Sequence, residues 1–152
     1  MKRFAKSLVV GMLLVCTTLA MVGCGAKKQT ATCTIEQDGM KIEMVLDAEG
    51  DKIMKLTQTS TVSLEGVAEE QVAALDENIA QIKEQYEAID GVKYNFEKSD
   101  KELKEIVEID TSNKDTLKAA IESELLPVEG NQSSLSLKAT KESMADLGWT
   151  VK

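Results

Sequence analysis

The sequence predicts an α+β domain: an antiparallel sheet of about five strands, with two main helices and a short C-terminal helix packed on one face, in the order βββαββα(β)α. Three observations predict it. Apolar and polar residues alternate from Cys33 to Leu46 and again over 92–96 and 103–109, the period of a strand with one face in water. Between 69 and 89 the apolar spacing changes to steps of three and four, the period of a helix with one buried stripe. Hairpins with a bare apolar face and helices with a bare apolar stripe cover one another.

The first strand is read from Cys33 and Ile35, and the second from Met40, Ile42, Met44 and Leu46 with Lys41, Glu43 and Asp47 opposite. The turn Asp47-Ala48-Glu49-Gly50-Asp51 leads into a third strand, in which Met54, Leu56, Val62 and Leu64 are expected inward and Lys55, Thr57, Thr59 and Thr61 outward. Val72, Leu75, Ile79, Ile82, Tyr86 and Ile89 then define the long helix, stopped by Gly91, which takes a left-handed conformation cheaply. Val92, Tyr94 and Phe96 mark the fourth strand, Ser99-Asp100 a turn, and Leu103, Val107 and Ile109 the fifth. Ser112 followed by Asp115 reads as a capping pair for a second helix with Leu117, Ala120, Ile121 and Leu125 inward and Pro127 as its stop. Leu135 and Leu137 suggest a short strand. Thr140 is the expected cap of a last helix with Met144 and Leu147 inward and Gly148 as its stop, after which Trp149 and Val151 close the chain. Residues 40–89 and 92–126 both read hairpin then helix, a pattern compatible with duplication.

Ahead of this domain lies a three-part export leader. Lys2, Arg3 and Lys6 are basic, Ser7 to Ala20 carry no charge, and Met21-Val22-Gly23-Cys24 closes the segment. The last four residues resemble the lipobox of bacterial lipoproteins, with Met21 where Leu is usual, which implies cleavage between Gly23 and Cys24 and acylation of Cys24. The organisation expected is a signal peptide over 1–23, a short lipidated tether over 24–32 and one domain over 33–152. An uncleaved membrane helix over 7–26 is the competing reading, because twenty residues span a bilayer core. Either way the basic start keeps the N-terminus cytoplasmic and sends the chain beyond Lys27 outside.

Composition narrows the chemistry. The 152 residues contain no histidine, so histidine-dependent nucleophile activation and histidine metal ligation are excluded. No Gly-rich phosphate loop or paired cysteine ligands occur, and an enzyme is not expected. All 26 acidic side chains but only 15 of the 18 basic ones lie beyond Cys24, since Lys2, Arg3 and Lys6 precede it. The exported part therefore carries an excess of 11 negative charges and would repel nucleic acid. Asp47, Glu49 and Asp51 around Gly50 are weak candidates for calcium, but an EF-hand loop starting at Asp47 would need its closing Glu at position 58, where Gln58 stands; a charged turn is the preferred reading and no cofactor is implied. Cys33, the cysteine left outside the leader and lipobox, is expected as a small buried apolar residue. Trp149 is a weak candidate for a binding surface, since it follows a helix stop.

The Val22-Gly23-Cys24 box, the turn Gly50-Asp51-Lys52, the helix end Ile89-Asp90-Gly91-Val92, the turn Lys98-Ser99-Asp100-Lys101 and the end segment Lys141-Glu142-Ser143 through Leu147-Gly148-Trp149 together resemble the YehR-like family of small bacterial lipoproteins, defined by an uncharacterised domain. The resemblance covers nearly all of the chain beyond the leader. It implies an α+β domain and supplies no catalytic residues. The expected function is a membrane-anchored extracytoplasmic lipoprotein, non-catalytic, serving as a binding or envelope-accessory module. Its expected partners are membrane lipid through acylated Cys24 and an envelope protein or small ligand. The alternative is a small-ligand-binding lipoprotein working with a transporter.

Overall fold

The computed structural model describes residues 26–37, 39–67, 69–126, 128 and 132–152, with the backbone alone for 69–77. Among the described residues six strands form one antiparallel sheet: β1 (Lys28–Gln37), β2 (Met40–Glu49), β3 (Lys52–Ser63), β4 (Val92–Lys98), β5 (Glu102–Ile109) and β6 (Thr150–Val151). The spatial order is β4-β5-β3-β2-β1-β6. Three helices, α1 (Glu69–Glu87), α2 (Lys114–Glu122) and α3 (Leu137–Asp146), complete the α+β architecture. Both hairpin-then-helix units are present, as β2-β3-α1 and β4-β5-α2. Their hairpins join along β3 and β5, with Leu56 opposite Ile109 at one end of the seam and Ser63 opposite Glu102 at the other.

The core lies between one face of the sheet and the helices. Ala31, Cys33, Met44, Leu46, Leu56, Val92, Tyr94, Val107 and Ile109 of the sheet share it with Leu117 and Ala120 of α2, Leu137 and Met144 of α3, and Trp149. Ile79, Ile82 and Tyr86 of α1, followed by Ile89, pack against it, as the three-and-four spacing requires. Burying a side chain such as Leu117, which is wholly inaccessible, contributes about 1.5–3 kcal/mol. Gly91, at φ +82°, turns the chain from α1 into β4. A Cβ there would stand 2.6 Å from the Thr116 hydroxyl, which is itself donated to the Asp90 carbonyl at 2.7 Å.

Five expectations are corrected. β1 begins at Lys28, so residues 28–32, expected in the tether, are strand paired with β2 from Lys28–Glu49 onward. In β3 a bulge beside Asp47 and Ala48 shifts the register, so that Ala48 faces Ile53 while Asp47 faces Lys55. One extra residue resets the alternation: Ile53 is buried and Met54, expected inward, is half-exposed. Asn113, not Ser112, caps α2, accepting the amides of Asp115 and Thr116, while Ser112 bonds back to the Asp110 carboxylate. α3 starts three residues before Thr140, capped by Ser136, which leaves Leu147 69% exposed rather than inward. The short strand expected at 135–137 reduces to a bridge between Lys52 and Ser136. Pro127, Gly130 and the leader with Gly23 and Cys24 lie outside the described residues.

Candidate functional site

The ends of the sheet differ in what they hold. At one end, called proximal here, the chain runs into β1, β2 turns into β3, β5 leaves for α2, and α1 arrives at β4. The distal end holds the turn between β1 and β2, the Ser99–Lys101 turn and the start of α1. The proximal end is organised around two residues, Gly50 and Asp51. Gly50, at φ +60°, donates its N–H to the Lys27 carbonyl at 2.8 Å, and its own carbonyl accepts the Gln29 side-chain amide at 2.8 Å. Asp51 accepts the Leu137 N–H on its carbonyl at 2.7 Å. Its carboxylate takes the Ser136 hydroxyl at 2.6 Å and the Lys138 N–H at 2.8 Å. These hydrogen bonds, with the nearby Lys138 charge, hold the Asp51 carboxyl below the usual carboxylate range. One turn thus fastens both the start of the domain and the first turn of α3.

The three carboxylates nominated for calcium are separated by their partners. Asp47 accepts the Thr30 hydroxyl at 2.8 Å and pairs with Lys55 at 3.5 Å. Glu49 pairs with Lys28 at 3.8 Å, and Asp51 caps α3. Among the described residues no group of three or more acidic or cysteine side chains is placed to hold a metal ion. Trp149 is a core residue at 6% exposure, anchored by its N–H to the Met144 carbonyl, and presents no aromatic surface. Cys33 is fully buried, in the core as expected.

Sequence reasoning passed over one chemically distinctive residue. Glu105 falls on the inward row of β5 between Leu103 and Val107, opposite the buried Ser60 of β3. Burial pushes its carboxyl above the usual range, and a hydrogen bond with Tyr94 opposes that shift in part. The Tyr94 phenol is raised well beyond its ordinary value by burial and by the Glu105 charge. Tyr86 of α1 meets the Tyr94 ring edge-on, with centroids 5.5 Å apart and planes at 81°, and its phenol is raised by the same two causes. Gln58 donates to the Ser60 hydroxyl at 3.4 Å. The result is a polar inclusion under α1 that ties the helix to the sheet through an edge-to-face tyrosine pair. The alternation that identified Leu103 and Val107 carried the signal for Glu105, which falls midway between them on the same row. On the edge strand, an open depression of about 470 Å³ is lined by residues including Glu87, Tyr94, Asn95 and Glu108; Glu108 is paired with Lys55 at 3.9 Å.

A one-sided antiparallel sheet with three helices on its apolar face, stapled at the start of its first strand, defines a small α+β domain. Residues 29–150 match the family described as protein of unknown function DUF1307, and the chain belongs to that family. It is 30% identical over 112 residues to the uncharacterised lipoprotein Lmo0207 of Listeria monocytogenes serovar 1/2a, covering 72% of this chain and 71% of that one. A second uncharacterised lipoprotein, Lin0239 of Listeria innocua serovar 6a, is 24% identical over 110 residues, with the same shares covered. The solution structure of Escherichia coli YehR superposes with a TM-score of 0.63 at 17% identity, over 84% of this chain and 92% of that one. That likeness carries the fold, and with the family match it bears out the YehR-like resemblance. A Streptococcus pneumoniae TIGR4 protein gives a TM-score of 0.54 at 12% identity, over 87% and 91% of the two chains. No helix among the described residues is long and apolar enough to cross a membrane.

Proposed function

We propose that this protein is exported, cleaved after Gly23 and acylated on Cys24, and that it displays a non-catalytic binding or envelope-accessory domain on the extracytoplasmic side of the cell membrane. The observation that carries the reading is Val22-Gly23-Cys24 at the end of a charge-free segment, four residues ahead of a domain whose first strand starts at Lys28. Membership of a family whose Listeria members are named lipoproteins supports it. The non-catalytic part of the reading is supported by a sequence without histidine and by nominated carboxylates that are engaged in caps and ion pairs.

The test is metabolic labelling with radioactive palmitate followed by mass spectrometry of the intact protein. The parent chain is expected to carry label and to begin at Cys24, and Cys24→Ala to carry none and to leave the membrane fraction. An unlabelled parent with its leader intact overturns the reading. For the domain itself, crosslinking in native membranes is expected to recover an envelope protein. A tight small-molecule affinity would favour the transporter-linked alternative instead.

A further inference from the structure

β4 is the outermost strand on its side of the sheet, paired with β5 and, among the described residues, with no strand beyond it. The Ser99 N–H bonds to the Glu102 carbonyl and the Asp110 N–H to the Gly91 carbonyl, each at 2.9 Å, so the odd-numbered residues of β4 direct their backbone groups to β5. The N–H and carbonyl groups of Tyr94 and Phe96 consequently point to the open side. Natural edges are blunted by proline, a bulge, short length or lysine. β4 is seven residues long, VKYNFEK, without proline, and pairs with β5 without a register shift. Lysine is the remaining device, and the strand itself supplies Lys93 with a counterpart. The open depression with Glu87, Val92, Tyr94 and Asn95 among its lining residues lies along this edge.

The sequence of β4 complements itself when reversed. Of the antiparallel registers that use the Tyr94 and Phe96 groups, the one centred on Asn95 overlaps all seven residues. It sets Lys93 opposite Glu97 of a second copy, twice by symmetry, with Asn95 facing its own counterpart on the two-fold axis. Centring on Tyr94 or on Phe96 shortens the overlap and brings neither charge to an opposite one. On the core side the same register sets Tyr94 against Phe96, which is only half-buried within one copy, and Lys98 against Val92. The outward face already carries half of an alternating row. Asp47 pairs with Lys55, and Lys55 with Glu108; Lys93 stands opposite Glu108. Glu97 pairs with Lys104 at 3.5 Å. Two copies joined at Asn95 extend the row from Lys93 into Glu97 and Lys104 of the second copy, with the sign alternating throughout. The excess of acids, those of α1 beside this edge included, opposes approach at long range. The close opposite-charge pairs at the seam offset it.

We propose that β4 is a self-association edge, through which two copies of this chain join antiparallel, centred on Asn95, so that their two sheets become one continuous sheet. The contact needs no lipid on Cys24 and stands apart from the acylation proposed above.

Cysteine crosslinking of the full-length chain, purified in detergent, tests both the contact and its register. At a non-hydrogen-bonded antiparallel pair the Cα atoms stand about 4.5 Å apart, within reach of a disulfide. Lys93, Asn95 and Glu97 are all exposed. Under mild oxidation Asn95→Cys is expected to give a covalent dimer at a yield severalfold above that of the parent chain, whose own cysteines set the background. Lys93→Cys and Glu97→Cys, each alone, hold like positions about 13 Å apart and are expected to stay at background. Differently tagged chains carrying the one and the other, when mixed, are expected to crosslink to each other. Lys93→Glu added to the Asn95→Cys chain should lower the dimer yield severalfold, and Glu97→Lys added to both should restore it. The mixed 93–97 pair guards against a cysteine at 95 that disturbs the strand: background yield at both places overturns the proposal. Equal yields at 93, 95 and 97 mark random collision and overturn it, as does a yield indifferent to charge reversal. A disulfide formed in native membranes with a different protein, without a dimer of this chain, also overturns it and assigns the edge to a foreign strand.

Discussion

Glu105 shows how a single side chain can carry a pH dependence through a domain otherwise held by apolar contacts. Its carboxyl sits above the usual range because it faces the core. A group whose folded value is raised binds its proton more tightly in the folded state, so its contribution to stability is fully present at low pH and is lost as pH rises through the raised value. Asp51 and Asp110, both lowered, work in the opposite sense: their contributions are present above the ordinary carboxylate range and fade as pH falls. Glu105→Gln keeps a hydrogen-bonding partner for Tyr94 and removes the charge. In urea unfolding it is expected to be more stable than the parent at neutral pH, with the gap closing toward pH 4. A gap of constant size across that range would show that Glu105 carries no desolvation cost. Period-two reading put this residue in the core, but attention to apolar positions passed over the one inward carboxylate of its row. Trp149 was the reverse case. Its neighbours Leu147 and Gly148 marked a helix end without revealing whether the ring turns inward, which depends on β6 pairing with the middle of β1.

At the level of elements, the long periodic segments were legible and their boundaries were less so. α1 and the β4–β5 hairpin follow from spacing alone, because an apolar stripe in steps of three and four, or a strict alternation, can be buried only one way. The caps were harder. Ser112 and Asn113 are adjacent residues of similar capping tendency, and the Asp110 carboxylate draws Ser112 away and leaves the role to Asn113. Ser136 outcompetes Thr140 because β3 holds the preceding residue, with the Ile53 N–H on the Leu135 carbonyl at 2.9 Å. Asn113→Ala and Ser136→Ala are each expected to cost about 1 kcal/mol in urea unfolding, and Thr140→Ala less than about 0.5 kcal/mol. A comparable loss at Thr140 would place the α3 start wrongly. The β3 bulge was invisible to pattern reading because Ile53 and Met54 are both apolar, so neither face was distinguished until the Ala48–Ile53 and Asp47–Lys55 pairs fixed the register.

For the whole molecule, the predicted layering of helices on one side of an antiparallel sheet is what the structure and the YehR likeness both show. What spacing could not reveal is how unevenly the sheet is tied together. At the distal turn the side-chain bonds are local to Ser99 and Glu102, and the Leu64 N–H reaches the Lys101 carbonyl from outside the hairpin. Gly50 and Asp51 instead are bonded to Lys27 and Gln29 at the start of β1 and to the first turn of α3. A Gly-Gly-Ser insertion between Ser99 and Asp100 should therefore cost little, while the same insertion between Gly50 and Asp51 should lower the thermal midpoint markedly and admit protease at both Lys28 and Lys138; equal tolerance at the two sites would contradict this. The domain thus has a keystone: two adjacent residues lock its first strand and its last helix at once, and loosening them would unlatch both elements together.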